Sequence, residues 1–177
     1  MSAKTYIIAN GVQPTIAAFV KQPTGTAIRT MLQIRPATGY NPRLIEWGCS
    51  FDASAAAVPG QVEVFETTAA ATLTTAHGVG DIMIWGQPGS TPANTAGATG
   101  EPFNLSTATT AFASAAGTEG TVAAYRMADL QLLPPTGPYV KQFPLSREFE
   151  LTAQNYLRVR VTFGATVNMY IYTIWEI

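Results

Sequence analysis

Alternation of apolar and polar residues with a period of two constrains this chain more than any other feature. The clearest alternating runs cover residues 28–35, 43–51, 61–65, 148–151 and 157–163, and β-branched and aromatic residues fill 167–175. Successive side chains of a strand point to opposite faces of a sheet, so this period predicts strands with one face in a core. Gly- and Pro-containing turns separate the runs. The pattern predicts an all-β, jelly-roll-like antiparallel β-sandwich rather than βαβ units.

Two segments depart from this alternation in ways that predict other local structure. Residues 1–20 hold the isolated apolar stretch Tyr6–Ala9, followed by an Asn10-Gly11 turn. We expect an N-terminal arm or edge hairpin there, ahead of a single sandwich domain over 21–177. An Ala/Thr run predicts one short helix over about 68–76, because a threonine can cap its start and Gly78 follows its end.

Residues 86–120 form a long stretch that is rich in Ala, Thr and Gly. A structureless loop of this length is unusual in a compact domain unless something holds it. Its large apolar side chains are Phe103, Leu105 and Phe112, and Glu101 and Glu119 are its charged residues. We therefore expect these three apolar residues to pack at a contact between subunits.

Charge is scarce in the chain, and its balance excludes several classes of function. Charged residues make up 12% of the 177 residues, about half of the usual share of ~25%. Ten Lys and Arg stand against eleven Asp and Glu, which argues against a surface that binds nucleic acid. No apolar run approaches the ~20 residues of a membrane span. A surface with so little charge predicts extensive cover by other subunits.

The single histidine and the single cysteine leave little material for catalysis or for a metal site. His77 lies at the end of the expected helix, so we expect it to cap terminal carbonyls or to face solvent. Cys49 shares an alternating face with Trp47 and Phe51, which predicts a buried core thiol. A cysteine nucleophile would need a base, and His77 is the one histidine available.

Charged side chains on the predicted strands have two readings. Arg158 and Arg160 share one strand face and could bind phosphate or pair with Glu148 and Glu150 across a hairpin. Cross-strand opposite charges are favourable, so pairing is the preferred interpretation. A pair of carboxylates in a groove, as in a glycan hydrolase, stays open as the last alternative.

Aromatic residues offer one rival reading of the function. Trp47 and Trp175 lie inside strand patterns and are expected in the core. Trp85, beside Gly86, is the best candidate for an exposed ring on which a sugar could stack. A carbohydrate-binding module for host adhesion is therefore an alternative to a purely structural role.

Four runs of sequence together carry a resemblance to a known class of protein. They are Ile45-Glu46-Trp47-Gly48 with Ser50-Phe51-Asp52, Tyr139–Leu145 followed by Arg147-Glu148-Phe149, Leu157–Val161, and Val167-Asn168 to Trp175-Glu176. In this order they resemble small β-sandwich structural proteins of tailed bacteriophages, especially phages of actinobacteria, and they look like capsid decoration (cement) proteins. The resemblance covers roughly residues 28–67 and 121–177.

The resemblance implies a jelly roll that sits on the phage head, commonly as a homotrimer, with the major capsid protein as its partner. It implies no catalytic residues, no metal and no cofactor, and a location on the capsid surface of the virion after synthesis in the host cytoplasm. An N-terminal arm in this class reaches the capsid or a neighbouring subunit, so Lys4, Tyr6, Ile7 and Ile8 are the expected contact residues. A minor tail or baseplate component is the alternative within the virion.

Overall fold

Strands make up nearly all of the regular structure. The computed structural model describes residues 4–12, 18–52, 58–84, 102–114, 119–120, 122–123 and 125–177. The strands are β1 (Thr5–Ala9), β2 (Gln22–Pro23), β3 (Arg29–Ile34), β4 (Arg43–Asp52), β5 (Gly60–Thr67), β6 (Leu73–Ala76), β7 (Ile82–Ile84), β8 (Ala111–Ser114), β9 (Tyr125–Leu133), β10 (Tyr139–Gln142), β11 (Phe149–Glu150), β12 (Tyr156–Thr162) and β13 (Asn168–Glu176). In this described part of the chain, the 3-10 turn Val79–Asp81 is the one helical element.

The strands form two antiparallel sheets. The first sheet has the order β10-β4-β13-β1-β7, with β11 also pairing with β4 and β2 with β13. The second sheet has the order β6-β8-β3-β12-β5-β9. Strand β9 is thus one edge of the second sheet, and its nine residues are longer than the four of β6 at the opposite edge.

Eight of these strands pair in the nested order of a jelly roll. In chain order they are β1, β3, β4, β5, β9, β10, β12 and β13, and the first pairs with the eighth, the second with the seventh, the third with the sixth, and the fourth with the fifth. The first and third of these pairs, β1–β13 and β4–β10, belong to the first sheet, and the second and fourth pairs, β3–β12 and β5–β9, belong to the second. This arrangement confirms the predicted all-β, jelly-roll-like sandwich.

The core lies between the two sheets and is supplied by the alternating residues. On β12, Leu157, Val159 and Val161 are fully buried, and on β4 and β13 the indoles of Trp47 and Trp175 are fully buried as well. Opposite faces of the same strands carry the charged side chains. The burial follows the period that the sequence predicts.

The expected helix over about 68–76 does not form, and this prediction is wrong. Leu73–Ala76 is strand β6, which pairs with β8 through Thr75 opposite Phe112 and Ala76 opposite Ala111. Threonine is at least as well suited to a strand as to a helix, so the edge of the second sheet decides the local structure. The pairing also buries Leu73, which is 4% exposed.

The N-terminal segment enters the sandwich directly as β1. This strand lies between β13 and β7, with Tyr6 opposite Trp175 and Ile84, and Ile8 opposite Thr173 and Ile82. The expected arm is therefore an integral strand of the first sheet as far as Ala9. Its backbone contacts continue outward, because the amide of Lys4 donates to the carbonyl of Ile177 at 3.2 Å.

Candidate functional site

The expected contact residues of the N-terminus divide into two groups. Tyr6 and Ile8 are 3% and 0% exposed and belong to the core of the sandwich. Lys4, which precedes β1, is exposed, and Ile7 is partly exposed on the face of β1 opposite to Tyr6 and Ile8. A capsid or a neighbouring subunit could therefore contact Lys4 and Ile7, whereas Tyr6 and Ile8 hold the fold.

The three apolar residues of the long loop fill the core of their own chain. Phe103, Leu105 and Phe112 are 2%, 7% and 3% exposed. Phe103 packs edge-on against Tyr6 and Trp175, with ring centroids 5.8 and 6.1 Å apart. These side chains are thus not available to a second subunit, which corrects the contact expected of them.

His77 is buried, contrary to the expected cap or exposed ring. Its side chain is 3% exposed, and its Nε2 lies 2.6 Å from the carbonyl oxygen of Ala9. A carbonyl can only accept, so Nε2 carries the proton and Nδ1 is left as an acceptor. Within the described residues Nδ1 has no hydrogen-bond partner. Burial lowers the pKa of His77, and the nearby charge of Asp81 opposes this shift.

Cys49 is buried as expected. It is 2% exposed, and burial raises its pKa to about 12. Because the thiolate is the nucleophile, this shift keeps the group unreactive near neutral pH. Among the described residues no group of three His, Cys, Asp or Glu side chains is placed to hold a metal ion.

Arg158 is the centre of a buried ionic network on the outer face of the second sheet. The residue is fully buried, and its guanidinium pairs with the Glu119 carboxylate. Arg158 Nη2 donates to the Thr30 hydroxyl at 2.8 Å, and that hydroxyl donates to Glu119 Oε2 at 2.8 Å. Burial lowers the pKa of Arg158, and Glu119 counteracts this effect. The network satisfies a charge that would otherwise be costly to bury.

Arg160 forms a second ion pair on the same face. Its Nε and Nη2 donate to the two carboxylate oxygens of Glu63, at 2.7 and 3.0 Å. Both guanidinium groups also lie over the ring of Phe65, with Cζ at 5.5 Å for Arg158 and 4.9 Å for Arg160. Both arginines pair with carboxylates, but the partners are Glu63 and Glu119, so the predicted pairing with Glu148 and Glu150 is wrong.

The two acids that were expected to pair with these arginines lie elsewhere. Glu148 accepts a hydrogen bond from the backbone amide of Ser146 at 3.0 Å. The carbonyl of Glu150 accepts one from Arg126. The expected hairpin partner is displaced because β12 pairs with β3 and β5, whereas β11 belongs to the other sheet.

Asp129 links the two sheets at the side where β9 and β10 meet. Its carboxylate accepts hydrogen bonds from Trp47 Nε1 at 3.1 Å, Tyr139 Oη at 3.3 Å and Lys141 Nζ at 2.9 Å. Burial, together with the charge of Asp129, raises the pKa of Tyr139 to about 12. Sequence reasoning missed this cluster, although Trp47, Tyr139 and Lys141 lie in two of the runs that carry the resemblance.

Glu66 forms a comparable cluster at the end of β5. It accepts from Arg126 Nε at 2.9 Å and from Asn155 Nδ2 at 2.6 Å. Burial would raise the pKa of this carboxyl, but the hydrogen bonds from Thr152, Asn155 and Arg126 outweigh it and lower the pKa. Glu63, Glu66, Glu119 and Asp129 are thus each bound to a cationic side chain. Each serves as an ion-pair partner.

A row of apolar side chains is exposed along the edge strand β9. We call these four residues the β9 row, and they are 63%, 38%, 50% and 70% exposed, in the order Tyr125, Met127, Leu130 and Leu132. They lie opposite Thr67, Phe65, Glu63 and Gln61 of β5, which alternate with the core residues Val62 and Val64. The β9 row is therefore on the outer face of the second sheet, where exposed apolar surface marks sites of interaction.

A second aromatic feature lies on the outer face of the first sheet. Phe19 packs edge-on against Tyr170 at 4.9 Å, and Tyr170 stacks beside Tyr172 at 6.2 Å. A cleft of about 160 Å³ adjoins Tyr170. Its polar lining residues are Lys21, Ser50, Asp52 and Asn168. Trp85, the ring expected to be exposed, lies outside the described residues.

Comparisons with family models, with curated proteins and with solved structures find no match to this chain. Over the described ranges, no helix is long and apolar enough to cross a membrane. Over the described residues, buried charges form ion pairs, and the apolar side chains of the β9 row face outward.

Proposed function

We propose that this chain is a structural virion protein that binds the outer surface of a tailed-phage capsid and stabilises it. Three of the four runs that carry the resemblance fall on adjoining strands of one sheet, because β4 lies between β13 and the strands β10 and β11. The fourth run lies on β12, next to the core residues of β3 and β5. The resemblance thus rests on residues that are neighbours in space.

The observation that carries the proposal is the exposed apolar surface beside buried charge. The β9 row is exposed, whereas Arg158 and Glu119 are buried beneath the described surface of the same sheet. A protein that works alone in water gains nothing from this distribution, because exposed apolar groups promote association. In a particle, neighbouring subunits cover these apolar groups, so their exposure on the isolated chain carries no disadvantage.

Stabilisation of a shell would follow from mass action. A protein that binds the assembled shell and not its free subunits stabilises the shell by RT ln(1 + [L]/Kd) at each site. At a concentration of 100 Kd this amounts to about 2.7 kcal/mol per site. The gain is summed over all sites of the shell, so that no single contact needs to be strong.

Sedimentation with phage heads tests the proposal. Emptied heads that lack this protein are mixed with purified protein and pelleted, and heads already saturated with it serve as the control. We expect saturable co-sedimentation with the bare heads and a higher thermal disruption temperature of the decorated shell. Protein that stays in the supernatant at all concentrations, with heads shown to be intact, would refute binding to the capsid. Binding to purified tails instead would favour the tail or baseplate alternative.

The homotrimeric state implied by the resemblance is part of this proposal. The mass of the purified protein in solution tests it independently of the capsid. Of the expected N-terminal contact residues, Lys4, just before β1, is exposed, and Ile7, on β1, is partly exposed. Substitution of Ile7 by Ser should weaken co-sedimentation without unfolding the protein, because its side chain is on the partly exposed face.

A second candidate function is carbohydrate binding, and the aromatic surface of the first sheet favours it. The rings of Tyr170 and Tyr172 are stacked at an interplanar angle of 29° beside a cleft with polar lining residues. Near-parallel rings with adjacent hydrogen-bonding groups suit the apolar face and the hydroxyls of a sugar. A glycan array tests this candidate, and Tyr170→Ala should remove a signal that Val140→Ala leaves unchanged.

A further inference from the structure

The β9 row lies on a strand whose facing pattern is symmetric about a bulge. Pairing with β5 shifts between Val64 and Phe65, so that Asp129 lies opposite Val64 and Met127 opposite Phe65, and Ala128 is the extra residue. Residues three positions apart normally point to opposite faces of a strand. Because of the bulge, Met127 and Leu130 point to the same face.

This symmetry allows two copies of β9 to lie side by side, antiparallel, about a two-fold axis between Ala128 and Asp129. In that register Met127 is opposite Leu130 of the second copy, and Tyr125 is opposite Leu132 of the second copy. Directly opposite residues share a face of the sheet. All eight apolar side chains of the two rows would then form one continuous surface across the contact.

We infer that the β9 edge is a two-fold interface between copies of this chain. Both faces of β9 suit this interface. On the face opposite the β9 row, the register places Arg126 opposite Gln131 of the second copy and diagonal to Asp129 of the second copy. Charges that approach across the axis are therefore of opposite sign, and no like charges face each other directly. An isologous contact requires such self-complementarity.

The exposed area of the β9 row is comparable to the area that an interface between two proteins requires. A standard interface takes about 800 Å² from each partner. At their exposed fractions of 38% to 70%, the four side chains of the β9 row supply on the order of half of this area. The backbone along the nine-residue edge adds to it. The amide of Leu130 is already bound to Asp129 Oδ1 at 3.0 Å, so side-chain contacts carry the centre of the interface.

The mass in solution is the first test of this interface. Equilibrium sedimentation should show a dimer, or an assembly of six if the protein is also a trimer through another surface. Leu130→Lys should weaken the association at least tenfold. Val140→Lys is the matched control, because Val140 is 56% exposed but lies on β10 in the other sheet. Both sites are exposed, so near-ultraviolet circular dichroism should show native folds. A monomer or a plain trimer overturns the proposal.

Disulfide trapping tests the register itself. Met127→Cys and Leu130→Cys are made separately, and Cys49 gives no background because it is buried. A mixture of the two variants should form a covalent dimer on mild oxidation, because Cα atoms of opposite residues lie about 5 Å apart. Either variant alone should not, because its two cysteines are three positions out of register, or about 10 Å. Trapping of a single variant, or none in the mixture, overturns the register.

The interface between copies uses the same β9 row as the proposed function, but the two experiments test them separately. A shell-bound monomer would overturn this inference and leave the proposed function in place. A dimer that fails to bind heads would do the reverse.

Discussion

The outer face of the second sheet consists of two halves that treat charge and apolar surface in opposite ways. In the covered half, around β12, the side chains of Arg158 and Thr30 are buried and bound to Glu119. In the bare half, along β9, the apolar β9 row faces outward. The difference shows that much of the scarce charge of this chain forms ion pairs within the fold.

The ion pairs support this conclusion. In the described part of the chain six cationic side chains form salt bridges, out of ten Lys and Arg in the sequence. Four of the six acids involved, Glu63, Glu66, Glu119 and Asp129, have side chains that are less than a tenth exposed. Charge placed in this way does little for solubility, so an outward apolar row gains in importance as a contact surface.

Breaking the covered half should have the largest effect on stability. Arg158→Met leaves the Glu119 carboxylate buried without its cation, which costs about 3–5 kcal/mol of unfolding free energy. Arg158→Met with Glu119→Gln removes both charges and should recover a part of this loss. Urea unfolding measures both variants. Equal stability of the Arg158→Met variant and the wild-type protein would show that the Arg158–Glu119 pair contributes nothing to the free energy of unfolding.

Two adjacent leucines of β9 sharpen the contrast between inside and outside. Leu133 is 8% exposed and packs in the core, whereas Leu132 is 70% exposed. Leu133→Ala should cost about 2–4 kcal/mol, and Leu132→Ala less than about 0.5 kcal/mol. Conversely, Leu132→Ala should weaken self-association, which sedimentation detects. Equal losses of stability in the two variants would contradict the orientation of β9.

The ring of His77 is buried, but its Nδ1 has no hydrogen-bond partner in the described structure. Its pKa in the folded protein is lowered, so the unfolded chain binds the proton more tightly. Stability is therefore complete above the unfolded pKa of about 6.5 and is lost as pH falls through the folded pKa, by up to about 1.4 kcal/mol per pH unit.

Urea unfolding between pH 8 and pH 5 measures this loss. His77→Gln should have a flatter profile over the same interval, because glutamine does not titrate. A wild-type stability that stays constant or rises as the pH falls from 7 to 5.5 would contradict the predicted sign.

Thiol labelling should show the smallest change of all at Cys49. Burial raises the pKa of this thiol to about 12, so a thiol reagent should not react with the native wild-type protein within hours. Val140→Cys should react within minutes and serves as the exposed control, because Val140 is 56% exposed and lies outside the β9 edge. Rapid labelling of native wild-type protein would place Cys49 outside the core.

Strands with a strict period were predictable from sequence, and strands with interrupted periods were not. The run at 157–163 predicts β12 nearly residue by residue, because Leu157, Val159 and Val161 face one core. Strand β9 was not predicted, because the bulge at Ala128 shifts its alternation and the apolar residues fall at 127 and 130. The apolar residues of the β9 row also face outward, whereas the usual interpretation of alternation places apolar residues in the core.

The chemical environment of individual side chains depends on long-range contacts that no local pattern encodes. Glu119 meets Arg158 across 39 residues, and His77 meets Ala9 across 68. The nearest acids in sequence to Arg158, Glu148 and Glu150, were the reasonable choice by hairpin logic. They were displaced because the jelly-roll order sends β11 and β12 to different sheets.

The nested pairing of strands also sets the order in which the chain can fold. The pair β5–β9 encloses the part of the chain that holds β6, β7 and β8, whereas the pair β1–β13 spans nearly the whole chain, since Ile8 pairs with Thr173. Closing long loops before any contact rewards them makes such topologies slow folders, in the range of milliseconds to seconds. On the ribosome, β1 would leave the exit tunnel long before its main neighbour is synthesised. Its apolar residues Tyr6 and Ile8 can pair with Ile84 and Ile82 of β7 midway through synthesis, but their pairing with Trp175 and Thr173 is completed only when the last strand has been made.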